Sequence, residues 1–298
     1  MLNRFVSLIN KLLSPDAPTK IARRLRMMAI ARSVVRANPL FNMISYQLRL
    51  RRLRYGDRHT AIVIGAGGGI GEAVARKLLQ QGCRVIGTYR NSEPQLAAGN
   101  KCHLFRLDIT SAEQVCKVYS EIEKLGLSVD LIVVATGFNS GWDYHASLAG
   151  KSLSQDELAR EASDILESFR SNTLGPYLVI RRFVGLVSPT ATHDGVPQIC
   201  LLSSSLGTMH NELYGGMYGY RTGKGALHAL AMAMYCDLNL DGRIGMQVLG
   251  PGNVATRMNV GGLMSPDHAA NEIISNLEYS AHRATCQFLG VGGKRIAW

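Results

Sequence analysis

"HTAIVIGAGGGIGEAVARKLLQQG", His59 to Gly82, opens with a short apolar run and closes with a helical pattern. Ala61 to Ile64 has strand character, and Val74, Leu78 and Leu79 recur at helical spacing. Between them lie the glycines Gly65, Gly69 and Gly71, spaced G-x3-G-x-G. Lacking a Cβ, such residues let backbone amides and a helix N-terminus come close to a phosphate. Strand, glycine loop and helix in that order predict an anion cradle. A structural turn is the plainer alternative.

The next strand decides between them. "RVIGTYR" follows at the distance expected for a β-α-β unit and ends in polar residues, where an adenosine ribose would lie. Many such sites place an acid there for the ribose 2′-hydroxyl. This chain has Tyr89 and then Arg90, with no acid between Arg84 and Ser92. A guanidinium suits a 2′-phosphate, because it is an always-charged fork of donors. The reading is therefore NADP rather than NAD. "CHLFRLDIT" reads as a strand ending in Asp108, and "VDLIVVATGF" as a buried strand ending in Gly137. Helical patterns separate these strands. The alternation predicts an α/β fold: a doubly wound parallel sheet of the Rossmann type, with ligand at the carboxyl ends of the strands.

A second stretch raises a question of chemistry. "YGGMYGYRTGK", Tyr214 to Lys224, holds three tyrosines, and only Tyr220 has a lysine four residues on. On a helix that phenol and the Lys224 ammonium share a face. Tyr218 lies about 240° around the helix from the lysine and faces elsewhere. Tyr214 falls before the helix. Taken alone, the pair is explained as well by an ordinary surface contact.

The chain has 298 residues, 46% of them hydrophobic, enough for one large α/β domain with an appendage. Six scattered cysteines form no CxxC pair and read as reduced core thiols in a reducing compartment, hence the cytoplasm. No histidine spacing suits a metal; Cys102 and His103 read as strand residues. The net charge of +11 is strongly partitioned. Residues 1–58 carry thirteen Lys/Arg against Asp16 and Asp57, while residues 59–298 carry 20 of each sign. The expected division is a basic helical extension over 1–58 and the globular domain over 59–298.

"MLNRFVSLINKLL" is amphipathic, with Leu2, Phe5, Val6, Ile9, Leu12 and Leu13 on one face. Arginine-rich helical patterns follow over Thr19–Ala37 and Phe41–Tyr55. No run reaches the ~18 apolar residues of a membrane span, and no secretory cleavage pattern is present. Three readings stay open: peripheral contact with an anionic membrane, an organelle transit peptide, or a helical arm packed on the body or on another subunit. Nucleic acid is not expected as a partner, since no base-reading module accompanies the charge.

From His59 onward the chain resembles the short-chain dehydrogenase/reductase family. The landmarks come in the family's order. They are the glycine loop, "LDIT" with Asp108 and Ile109, "VATG" in place of N-N-A-G, "SNTLGP" with Asn172, and "LLSSSLGTM". Tyr220-x3-Lys224 and "PGNVAT", Pro251 to Thr256, complete the series. "ATGF", "GGMYGYRTGK" and the tail "GGKRIAW" look more like the C-factor subgroup. The resemblance implies that Tyr220 donates the proton to a carbonyl under reduction. Lys224 would lower the phenol's pKa from its usual ~10 and bind the nicotinamide ribose. A serine would polarise the substrate oxygen, and Asn172 would hold a relay water. The S-x-x-G spacing to Gly207 selects Ser204, with Ser203 as the alternative. The implied cofactor contacts are Gly65, Gly69, Ile70, Gly71, Arg90, Asp108, Ile109, Gly137, Tyr220, Lys224, Pro251, Gly252, Val254 and Thr256.

Two departures stand out: Thr136 in the N-N-A-G turn, and Gly223 where the family often has serine. The short stretch after Thr256 predicts no large lid, only a small apolar flap with Met258, Leu263 and Met264, hinged at Gly261-Gly262. The expected activity is NADP(H)-dependent interconversion of a small-molecule carbonyl and alcohol by a homo-oligomer. The alternative is a membrane-tethered, NADP-binding regulatory protein with little turnover.

Overall fold

The computed structural model describes residues 54–96, 99–140, 153–187, 195–210, 215–238, 244–281 and 285–298. The expectations for residues 1–53 and for Tyr214 lie outside them.

Seven parallel strands form one sheet in the order β3-β2-β1-β4-β5-β6-β7. They are β1 (Thr60–Ile64), β2 (Arg84–Tyr89), β3 (Cys102–Arg106), β4 (Leu131–Val134), β5 (Gln198–Leu202), β6 (Gly245–Leu249) and β7 (Cys286–Leu289). The α-helices among the described residues are α1 (Gly69–Gln80), α2 (Ala112–Glu123), α3 (Gln155–Phe169), α4 (Gly175–Phe183), α5 (Tyr218–Leu238) and α6 (Pro266–Ser280). The expected doubly wound parallel sheet is present.

The apolar runs of the central strands read as continuous because both faces are covered. Successive side chains of a strand point to opposite faces. Ile62 and Ile64 of β1, Ile132 of β4 and Ile199 of β5 join a core with Val115 of α2, Val179 of α4 and Leu227 of α5. Ala61, Val63, Val133 and Cys200 face the other way, onto Val74 and Leu78 of α1 and Ile273 and Leu277 of α6. Fully buried aliphatics of this kind cost ~2–5 kcal/mol when cut to alanine, so each layer pins the sheet independently.

Asp108 and Gly137 lie beyond β3 and β4 rather than at their ends. The Asp108 carboxylate accepts from Thr110 N–H (2.9 Å) and hydroxyl (2.8 Å), and this local turn takes the chain out of the ladder. Of the cysteines, Cys83 and Cys200 are buried, but Cys116 and Cys236 are exposed, so the thiols are not all core residues.

The domain boundary expected at 58 is too late. Leu53–Trp298 forms one compact unit. Tyr55 is buried, its amide donates to the Glu278 carboxylate (3.2 Å), and its ring meets His59 edge-on at 5.5 Å. A phenol ring buried against α6 belongs to the core, whatever the charge of its neighbours in sequence.

Candidate active site

The strand order reverses between β1 and β4, the place where such sheets bind ligands. A cleft of about 440 Å³ opens there, at the carboxyl ends of the strands. Its floor is the glycine loop. Ala66 N–H donates to Thr88 C=O (2.7 Å) and Gly65 N–H to the Thr88 hydroxyl (3.2 Å), which ties the loop to β2. Gly65 has φ +90°, and a Cβ on Gly71 would overlap the Gly65 carbonyl, so the turn requires glycine at both positions. Serines cap α2, α3 and α6 (Ser111, Ser154, Ser265), but α1 begins behind Gly68 with no side-chain cap. Its first-turn amides are left for an acceptor in the cleft.

At the end of β2, Arg90 is exposed on the cleft wall, and its carbonyl accepts from Arg106 Nε (3.2 Å). Arg90, Arg106 and Lys117 border a side hollow with Asp108. Glu93, just past the acid-free window, is held by the Tyr89 hydroxyl (3.0 Å). Burial alone would raise the Asp108 carboxyl. Thr110's two donors, with Arg90 and Arg170, outweigh it and hold the group below the usual carboxylate range.

The other end of the cleft is built from side chains. Lys224 is 3% exposed, donates from Nζ to Leu202 C=O at the end of β5 (3.0 Å), and stands 5.8 Å from the Tyr220 ring centroid. Burial pushes its pKa down to about 8. Tyr220 is half-buried in the first turn of α5, which follows Met217, a buried residue at φ +55°. That sparsely populated backbone conformation is what turns the chain into the helix. Tyr218 begins α5 but does not line the cleft.

Asn172 is fully buried in a π-helical turn, Arg170–Leu174, between α3 and α4. Its Oδ1 accepts from Phe138 N–H (2.9 Å), and Nδ2 donates to Phe138 C=O and the Ser168 hydroxyl (both 2.8 Å). It clamps the loop after β4 that presents Gly137 to the cleft. A Cβ on Gly137 would lie 3.5 Å from Asn172 Oδ1 and 3.7 Å from Lys224 Nζ, so the three groups adjoin. Gly223 lets α5 press on α3: a Cβ there would meet the Ser168 carbonyl at 3.0 Å and its hydroxyl at 2.9 Å.

A family profile described as short chain dehydrogenase matches residues 59–262.

The chain belongs to the short-chain dehydrogenase family.

It is an oxidoreductase of that family. The 1-hydroxy-2-glutathionyl-2-methyl-3-butene dehydrogenase of Rhodococcus sp. (strain AD45) is 26% identical over 80% of this chain and 99% of its own length. The carbonyl reductase Sniffer of D. melanogaster has a TM-score of 0.67 at 21% identity, covering 81% of this chain and 99% of its own. An NADPH-bound carbonyl reductase from chicken fatty liver has a TM-score of 0.64 at 23% identity, covering 80% and 99%.

Of the residues expected to form this short-chain dehydrogenase's site, Gly65, Gly69, Ile70, Arg90, Asp108, Ile109 and Gly137 line the cleft. Tyr220, Lys224, Pro251 and Thr256 line it too. Gly71 packs behind the loop, and Val254 is buried under the post-β6 turn, bridged to Met264. Gly252 and Asn172 are also off the cleft surface. The serines divide unexpectedly. Ser203 lines the cleft, yet its hydroxyl shares a 2.7 Å hydrogen bond with His228 Nε2. Burial, then the Lys224 charge, push His228 down to about 4, so the ring is neutral. The half-buried Ser204 accepts from Leu206 N–H (3.2 Å) and does not line the cleft.

The apolar flap is a self-bonded turn. Leu263 N–H and Met264 N–H both donate to Asn253 C=O, and Val260 and Leu263 are exposed. Of the apolar flap expected from the sequence, Met258 lines the cleft; Thr136 and Arg257, also on its wall, were not among the expected site residues. Thr136 was visible as a departure from the family turn; a lone arginine in a loop carried no signal.

Proposed function

We propose that the chain is an NADP(H)-dependent reductase that interconverts a carbonyl and an alcohol, with Tyr220 as general acid and base. The observation that carries the reading is the Tyr220–Lys224 pair at the end of a cleft whose other end offers Arg90 and an uncapped helix. The cleft suits a dinucleotide. Its glycines leave room for a diphosphate, and the Thr136 hydroxyl is buried there with no partner. NADPH supplies the hydride when bound.

The protein's own residues do the rest. Lys224, fixed by the Leu202 carbonyl, biases the neighbouring phenol toward phenolate, which makes Tyr220 a better base in the oxidative direction. Its own pKa near 8 leaves it largely charged at neutral pH. Asn172 sets the position of Gly137 and thereby the width of the cleft beside Lys224. Two serines are candidates to polarise the substrate oxygen: Ser204, which the S-x-x-G spacing selects and whose hydroxyl accepts from Leu206 N–H, and Ser203, which lines the cleft but shares a hydrogen bond with His228. The NADPH-bound chicken carbonyl reductase, alike in fold, supports the choice of cofactor.

An exposed apolar stripe on α3, Leu158, Leu166 and Phe169, supports a homo-oligomer in which this face meets a second copy. Loss of NADPH absorbance with a panel of ketones and aldehydes tests the activity. No consumption of NADPH with any of them, by a protein that binds it, would favour the regulatory alternative.

A further inference from the structure

Two segments far apart in sequence meet at the mouth of the cleft. After β6 the chain reaches Thr256, whose methyl carbon lies 3.3 Å from where a Cβ on Gly69 would be. Arg257 follows, exposed and on the cleft wall. Its Nη2 donates to Gly67 C=O (3.2 Å), and a Cβ on Gly68 would come within 2.6 Å of the same nitrogen. The guanidinium thus rests directly on the glycine loop.

Its charge is not compensated there. Among the described residues no carboxylate pairs with Arg257, whereas Arg76 of α1 is paired with both Glu72 and Asp267. One weak bond to a carbonyl leaves most of the guanidinium's donors unused. A cation placed over amide donors that are themselves open is poor electrostatics unless an anion comes between them. The glycines leave space for one, and the same wall leads to Arg90 at the ribose end.

We infer that Arg257 is a binding residue for the dinucleotide's diphosphate, one that serves affinity for the cofactor without choosing between its phosphorylated and unphosphorylated forms. The inference rests on the dinucleotide reading above and divides the labour between two arginines. Arg90 recognises the 2′-phosphate, and Arg257 holds the part that both cofactors share. Because Arg257 belongs to the turn bearing Met258, Val260 and Leu263, the same contact ties that turn to the bound cofactor.

The test measures dissociation constants for NADPH, NADH and 2′-AMP, the last a fragment without the diphosphate. The proteins are the full chain, Arg257→Gln, Arg257→Lys and Arg90→Ala. Glutamine keeps a donor for the Gly67 carbonyl and removes only the charge, so loop support is separated from anion binding. Arg257→Gln should weaken NADPH and NADH alike, each about tenfold, with their ratio unchanged and 2′-AMP within twofold of its original affinity. Arg257→Lys should recover part of the loss, and Arg90→Ala should change the ratio instead. Unchanged NADH affinity in Arg257→Gln, or an equal loss of 2′-AMP, would overturn the assignment. If the unsubstituted chain binds neither dinucleotide, the cofactor reading itself fails.

Discussion

The two ends of the cleft are made differently. The nucleotide end is built mostly of backbone: a glycine loop tied to β2, and the open amides of α1. Its cations, Arg90, Arg106 and Arg257, stand exposed. The end proposed to react is built of side chains from α5, β5 and the π-helical turn, and Lys224 there is buried. Exposed charges on a backbone scaffold can be changed without disturbing the fold, because water screens them. Changing a buried ammonium held by the Leu202 carbonyl shifts stability as well, because its burial carries a desolvation cost. Substitutions at the first end should alter binding alone; those at the second should alter turnover and stability.

The largest expected effect is at Tyr220. Tyr220→Phe removes one proton-transferring group and almost no volume. Turnover should fall by about a hundred- to ten-thousandfold with NADPH affinity kept. Tyr218→Phe, off the cleft, should change little, and equal losses in the two variants would show the wrong tyrosine was chosen.

Lys224 comes next. With a folded pKa of about 8 against 10.5 unfolded, the unfolded chain binds more protons between those values. Its contribution to stability therefore rises with pH across that window and is flat below it. Lys224→Met, free of the buried charge, should be the more stable protein at pH 7 without cofactor. Its advantage should shrink by ~2–3 kcal/mol as pH approaches 10.5. Denaturant midpoints of both proteins across that range measure it; parallel curves would mean that the ammonium is not penalised by burial.

Arg90→Ala should weaken NADPH about ten- to a hundredfold and leave NADH nearly untouched, with an unaltered thermal midpoint. Equal binding of NADPH and NADH by the unsubstituted chain would remove the basis for this. The smallest effect is Gly223→Val. Its side chain would press on the Ser168 carbonyl and part α5 from α3, costing ~1–2 kcal/mol. Because Asn172 lies at the same contact, turnover should drop along with the unfolding midpoint. A drop in stability alone would uncouple that packing from the site.

The same contrast explains what could be read in advance. The glycine loop, the acid-free end of β2 and Tyr220-x3-Lys224 are short local patterns, and each maps onto the cleft. Spacing selects Ser204, but the partner that engages Ser203 was not legible, because His228 lies on another element with no motif of its own. The π-helical turn around Asn172 leaves no periodic mark in the sequence. Tyr55 was assigned to the basic extension because charge surrounds it in sequence, while its burial depends on Glu278 and His59 in space. A chain shortened to begin at His59 would lose that contact; one beginning at Leu53 keeps it.

The most direct test measures NADPH affinity and turnover on the same samples of the unsubstituted chain, Tyr220→Phe and Arg90→Ala. With NADPH as reductant and a carbonyl that the unsubstituted chain reduces, Tyr220→Phe should bind NADPH normally and fail to turn over. Arg90→Ala should turn over at the original rate once NADPH is raised enough to saturate it. If saturating NADPH does not restore Arg90→Ala, or if Tyr220→Phe still reduces the carbonyl, the cleft does not divide into a binding end and a reacting end as described.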